Sequence, residues 1–294
     1  MRRIRVAAAA AASLALLVAA CSKKADATPP VATPSLTMSR TDAPIGSPVD
    51  LTYTFKVSPS APAITEDYTV FVHFLDKDGE LMWTDDHVPT PPTRDWKPGA
   101  TIKYTRTIFV PKFPYLGEAT VELGLYSTKT GQRLPLVGKD QGMRSYRVAT
   151  FEMQPQPEST FVVFKDGWHD TEMGPPGSGV EWQWSSKTST LAFRNPRRDA
   201  TLFLDCDEPV TVVGMPQHVE VRVGSTTVDS FDLQPAQHEL RRVMFQAGQL
   251  GNDDTVNATV VVDPAFVPST MPQLKSTDTR ELGIRVFKAY LQPK

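Results

Sequence analysis

From Leu36 to about Met153, apolar and polar positions alternate with period two. Val49, Leu51, Tyr53, Phe55 and Val57 are separated by Asp50, Thr52, Thr54 and Lys56. A strand with one face in a core and the other towards water has this pattern. Residues 68–75 are apolar on both faces, which predicts a central strand. Asp76-Lys77-Asp78-Gly79 then reads as a turn, and Leu81-Met82-Trp83 begins a return strand. Residues 101–110, 119–126 and 144–151 supply further strands at short spacing. About seven short antiparallel strands with polar turns describe an immunoglobulin-like sandwich. Alternating prolines at 153–159 (M-Q-P-Q-P-E-S) remove strand donors and predict a linker.

A second β-rich block follows over 160–294. Its expected strands are 161–164, 180–184, 190–194, 201–205, 218–223, 227–233, 239–245, 255–262 and 282–291. Asn195-Pro196, Val223-Gly224-Ser225 and Gly251-Asn252-Asp253 punctuate them. Eight or nine strands suit a jelly roll of the galactose-binding type. No long segment has a 3.6-residue period. The fold class expected is therefore all-β, with two tandem antiparallel β-sandwiches, at 36–152 and 160–294.

The start of the chain breaks this pattern. Arg2, Arg3 and Arg5 precede an apolar stretch at 6–20 interrupted only by Ser13. At ~1.5 Å per residue it is too short to cross ~30 Å of hydrocarbon, and it reads as an export leader over 1–20. Val18-Ala19-Ala20-Cys21 resembles the lipobox of bacterial lipoproteins. That resemblance implies cleavage before Cys21, a diacylglycerol thioether on its sulfur and a third acyl chain, such as palmitate, on its new amino group. Two chains already hold a protein stably on a membrane. A secretory leader cut elsewhere and an uncleaved anchor are the alternatives. Residues 21–35, small, polar and proline-containing, read as a tether. Ser22 stands where enteric bacteria read an aspartate as an inner-membrane retention signal. In a host that follows that rule, its absence points to the periplasmic side of the outer membrane.

Charge narrows the range of partners. The chain has 31 Lys+Arg and 33 Asp+Glu, and loss of the three leader arginines leaves 28 against 33. A net charge near −5 argues against a nucleic-acid partner. Of two cysteines, lipidation of Cys21 leaves Cys206 alone, without an internal disulfide. Alternation in Leu202-Phe203-Leu204-Asp205-Cys206 puts that thiol on a strand's apolar face, which predicts a buried and inert group.

Two resemblances extend the reading. Val72-His73-Phe74-Leu75, Asp76-x-Asp78-Gly79, Asp86 with Pro89, Trp96-x-Pro98-Gly99, Gly124-Leu125-Tyr126 and Arg133-Leu134 follow one another in series. The series resembles a β-sandwich module of bacterial envelope proteins, including soluble parts of membrane glycosyltransferases. Gly167-Trp168, Glu172, Trp182-x-Trp184, Asn195-Pro196 and Asp278-x-Arg280-Glu281-Leu282-Gly283 resemble a jelly-roll module attached to bacterial glycan-assembly enzymes. His169 stands where that family usually has an aromatic residue. A turn cap or ion pair is the local role expected of Asp278 and Arg280.

The recognisable catalytic signatures, G-x-S-x-G, H-E-x-x-H, C-x-x-C and a phosphate-cradling glycine loop, do not occur. No catalytic residue, metal ligand or cofactor is assigned. His169-Asp170-x-Glu172 is the densest group of possible ligands, but one short loop offers three donors at most. Asp76-x-Asp78-Gly79 opens like a calcium loop, yet the twelfth position is His87 and not a bidentate glutamate. His73, inside an apolar strand, reads as a hydrogen-bonded core residue.

The tryptophans carry the most chemistry. Trp182 and Trp184 share a strand face, and Trp168 precedes them across a Gly/Pro-rich loop. Sugar rings stack their C–H faces on exposed indoles, with polar groups fixing hydroxyls. The same two rings also suit a sandwich core, which is their commoner fate. Glu181 and Gln183 are expected on the opposite strand face. Two functions remain open: a non-catalytic, lipid-anchored glycan-binding or glycan-assembly accessory protein, or a scaffolding lipoprotein that contacts other envelope proteins. An envelope hydrolase would be a third class, without a motif to carry it.

Overall fold

The computed structural model describes residues 28–208 and 216–294, so the leader, Cys21 and the first part of the tether lie outside the described residues. Among the described residues the protein is all-β, built as two sandwiches in tandem. The first contains β1 (Ala32–Met38), β2 (Asp42–Pro44), β3 (Pro48–Val57), β4 (Thr69–Leu75), β5 (Leu81–Thr84), β6 (Thr101–Phe109), β7 (Gly117–Tyr126), β8 (Arg133–Leu134) and β9 (Tyr146–Gln154). One sheet has the order β1-β3-β6; the other runs β2-β9-β7-β4-β5, with β8 beside β7.

The alternation in β3 does what its pattern requires. Leu51, Tyr53 and Phe55 are fully buried and face Phe74, Leu123, Leu125 and Met153 across the sandwich. Trp96 closes one end, its ring 4.9 Å from Phe55 and its indole N–H donating to Pro91 O at 3.0 Å. Gly124 pairs with Phe71, and a Cβ there would stand 2.4 Å from the Phe71 ring. The turn at 76–79 forms as expected. Asp76 Oδ1 accepts from the Asp78 and Glu80 amides, each at 2.9 Å, and Gly79 takes the left-handed conformation (φ 84°).

Two features differ from the sequence pattern. Strand β1 begins at Ala32, inside the stretch that composition assigns to the tether, with Val31 and Ala32 fully buried. Pro34 disguises it. As an edge strand paired only with β3, β1 tolerates a residue without a donor. In addition, β2 runs parallel to β9, Asp42 opposite Glu152. The chain crosses between sheets at 39–41 and joins the last strand in the same direction, so one short pair departs from an otherwise antiparallel architecture.

One group of polar side chains at the edge of this core is matched around Asp85 and His87. Asp85 accepts from Arg106 Nε (3.0 Å) and Nη2 (2.8 Å) and from the Tyr53 hydroxyl (3.1 Å). His87 Nε2 lies 2.8 Å from the Tyr104 hydroxyl. Desolvation holds that imidazole below its ordinary pKa. His73, by contrast, is half-buried beside the Phe71 ring at 4.9 Å.

The second sandwich contains β10 (Val162–Phe164), β11 (Glu172–Met173), β12 (Glu181–Trp184), β13 (Thr188–Arg194), β14 (Ala200–Asp207), β15 (Gln217–Val223), β16 (Thr226–Leu233), β17 (His238–Phe245), β18 (Thr255–Asp263) and β19 (Arg285–Pro293). Its sheets are β10-β13-β18-β15-β16 and β11-β12-β19-β14-β17. Apart from the hairpins β11–β12 and β15–β16, successive strands alternate between the two sheets, as in a jelly roll. Leu202, Leu204 and Cys206 are fully buried along one face of β14, and burial pushes the Cys206 thiol well above its ordinary pKa. Gly167 has φ 78°, and a Cβ would meet Thr188 O at 2.1 Å, so this position admits only glycine.

After β9 a short 3-10 turn (Glu158–Thr160) leads directly into the second sandwich. The two halves meet through outer sheet faces. Arg242 on β17 donates to Asp50 Oδ1 (2.7 Å) and Thr107 Oγ1 (3.0 Å), and Thr107 donates to Asp50 at 2.6 Å. The Lys288 ammonium lies 5.1 Å from the Phe109 ring centre. Across the same seam burial raises the Tyr290 pKa, and nearby Arg40 opposes that rise.

Candidate functional site

The docked faces leave a cleft of about 790 Å³ beside the seam. Val110, Pro111 and Lys112 wall it on the first sandwich; Trp182, Asp205, His238, Phe287 and Lys288 wall it on the second. Its volume lies within the ~300–1,000 Å³ usual for ligand sites. Register explains how the second wall is built. Between β14 and β19, Asp205 pairs with Lys288 but Cys206 pairs with Val286, so Phe287 is an inserted bulge residue. A bulge re-aims the side chains next to it, and Phe287 and Lys288 both border the cleft. Trp182, on the adjacent β12, has its ring centre 6.2 Å from that of Phe287, tilted by 58°.

Charged groups support this wall from behind. Arg285 makes a bidentate pair with Asp207 (2.8 and 2.6 Å). Its guanidinium carbon lies 4.8 Å from the Trp182 ring centre, 5.3 Å from that of Phe287 and 5.8 Å from that of Trp184. Such stacking fixes the indole of Trp182. The Trp182 indole N–H is buried and has no acceptor among the described residues. His238 Nε2 stands 2.6 Å from Asp205 Oδ1, and that hydrogen bond raises its pKa above the ordinary imidazole value. Desolvation between the sandwiches lowers the Lys288 pKa, with Asp205 and Glu181 opposing and Lys112 reinforcing the shift.

Of the three tryptophans singled out from sequence, Trp182 reaches the cleft. Trp184 is 8 % exposed and sits in a separate small cluster with Phe266 and Leu282, its ring edge-on to Phe266 at 5.9 Å. Trp168 packs against the second core, edge-on to Phe164 at 4.8 Å, and donates its indole N–H to Thr190 O at 2.9 Å. Trp182 and Trp184 do share a face with Arg285 stacked on both, but burial of Trp184 leaves no open two-ring platform. Glu181 and Gln183, expected on the opposite strand face from Trp182, border the same cleft.

The other polar motifs have structural duties. His169 Nε2 bonds to Glu281 O at 2.8 Å, while Glu172 turns away to Arg280 at 2.7 Å. Arg280 also pairs with Asp278, whose Oδ1 accepts from the Arg280 amide at 2.9 Å. The Glu172, Asp278 and Arg280 of the jelly-roll resemblance thus converge on one ion-pair cluster. Asn195 Nδ2 donates to Leu250 O (3.2 Å), Gly251 O (3.1 Å) and Asp253 O (2.9 Å), tying two loops together. No group of three metal-ligating side chains converges among the described residues. Lys112, His238, Phe287 and Lys288 carry no sequence signal, because docking of two sandwiches and one bulge brings them together.

No protein-family model and no curated protein matches this chain. Among solved structures, the Pseudomonas fluorescens alkylpurine DNA glycosylase AlkC bound to DNA is 15% identical over 42% of this chain and 31% of its own, with a TM-score of 0.25. The M60 catalytic domain with two CBM51 domains of Clostridium perfringens ZmpB is 8% identical over 85% and 34% (0.25). The CBM22 tandem domain of Paenibacillus barcinonensis Xyn10C is 11% identical over 85% and 79% (0.26). The chain spans about a third of the length of the first two. Likenesses this loose bear on neither ligand nor activity.

Proposed function

We propose that this chain is a lipid-anchored, non-catalytic protein of the bacterial cell envelope that binds a glycan as an accessory to its assembly. The observation that carries the reading is the cleft between the sandwiches. It is ligand-sized, walled by the Trp182 and Phe287 rings, and edged by Gln183, Asp205, His238 and Lys288. Aromatic walls take the C–H faces of sugars, and flanking polar groups fix hydroxyls. Anchoring is supported by Cys21 directly after Val18-Ala19-Ala20. A lipid there holds the cleft at a surface where envelope polymers already lie, on the periplasmic side of the outer membrane.

A glycan array probed with the full-length, detergent-solubilised lipoprotein tests the reading. It predicts retention of a defined set of saccharides, lost in Trp182→Ala. An array without any retained sugar, together with co-purification of a stoichiometric envelope protein, would favour the scaffolding alternative.

A further inference from the structure

We infer that the cleft is built for an acidic glycan, with Lys112 and Lys288 as its counter-charges. The inference rests on the glycan reading above and adds the charge class of the ligand. Six titratable side chains border the cleft: Lys112, Glu181, Asp205, His238, Lys288 and Tyr290. Asp205 is engaged by His238 at 2.6 Å. The nearby Arg285 and Asp207 neutralise one another. With His238 protonated, that leaves two lysines, one from each sandwich, against the exposed carboxylate of Glu181.

Among the described residues neither lysine has an ion-pair partner. Lys288 is held instead by the ring of Phe109 across the seam, at 5.1 Å. A cation–π contact orients an ammonium while leaving its hydrogen-bonding valence free, and an arriving anion easily outcompetes it. The two sandwiches therefore present positive charge from opposite walls, beside an aromatic surface formed by Trp182 and Phe287. A neutral sugar uses only the aromatic surface. A saccharide bearing carboxylates or phosphates uses both, and its anions relieve the mutual repulsion of two lysines facing one cleft.

Affinity electrophoresis of the full-length protein in neutral detergent tests this. One set of gels contains an acidic polymer (polygalacturonate, alginate, hyaluronate or a phosphate-bearing teichoic acid). The control gels contain neutral dextran or pullulan. Retardation is expected in at least one acidic gel, at least about tenfold stronger than in the neutral gels. It should weaken as salt is raised, disappear in the Lys112→Ala/Lys288→Ala double variant, and persist in Lys112→Arg/Lys288→Arg. Retardation in neutral gels alone would overturn the charge preference and leave the glycan reading standing. Equal retardation of the double alanine variant would remove the charge-bearing site from this cleft. No retardation in any gel would overturn both readings.

Discussion

Arg242 Nη2 donates to Asp50 Oδ1 at 2.7 Å across 192 positions of sequence, joining the outer face of one sandwich to that of the other. Thr107 closes the triangle, donating to the same Asp50 oxygen. The pair is partly exposed and screened by water, so its share of global stability is below about 1 kcal/mol. Its consequence is geometric. It fixes the seam that leaves the cleft open on one side.

Arg242→Ala should therefore change domain orientation more than stability. Small-angle scattering is expected to show a larger radius of gyration, and a protease should cut faster within 154–158. The thermal midpoint should fall by only a few degrees.

The same relationship explains what the sequence could and could not disclose. Strand pattern was legible because each sandwich buries alternate residues: Leu51, Tyr53 and Phe55 in one, Leu202, Leu204 and Cys206 in the other. Asp50 on β3, Thr107 on β6, Arg242 on β17 and Lys288 on β19 occupy outward-facing positions of their strands. In sequence they look like ordinary solvent-facing polar residues, so neither the seam nor the cleft could be read from periodicity. The tryptophans could be recognised as candidate sugar contacts. Which of them reaches a cavity depends on Arg285 and Phe266, far along the chain. Strand β1 was obscured by Pro34, whose compatibility with an edge position becomes apparent only once the partner strand is known.

Trp182 and Trp184 should separate when substituted. Trp184→Ala removes a buried ring from its own small cluster and is expected to cost about 3 kcal/mol in chemical denaturation. Trp182→Ala should cost less than half of that, while glycan retention is lost.

Asn195→Ala tests the loop tie of the jelly roll. Three carbonyl groups, all within residues 250–253, lose their shared donor. A destabilisation of about 2 kcal/mol is expected in urea denaturation, without change in glycan binding.

The His238–Asp205 pair predicts a pH dependence. Asp205 raises the folded-state pKa of His238, Asp207 adds to this and Arg285 opposes it. A raised imidazole pKa contributes stability that is full below the unfolded value near 6.5 and fades as pH rises through the folded value. The difference in thermal midpoint between the parent protein and Asp205→Asn should therefore be largest below about pH 6 and shrink steadily towards pH 9. A difference that grew towards alkaline pH would contradict the pairing.

Membrane attachment should depend on one sulfur. Cys21→Ala is expected to move the protein from the carbonate-washed membrane pellet to the soluble fraction or to block its maturation, and metabolic labelling with palmitate should vanish.

The central claim is that the cleft between the sandwiches holds a saccharide against Trp182 and Phe287. Titration calorimetry of an array-selected glycan tests it most directly, with the parent protein, Trp182→Ala, Phe287→Ala and the remote Trp168→Ala compared side by side. The account predicts affinity at least about tenfold weaker for the two cleft variants and unchanged for Trp168→Ala, each variant having first been shown to be folded. Unchanged affinity in both cleft variants would contradict it.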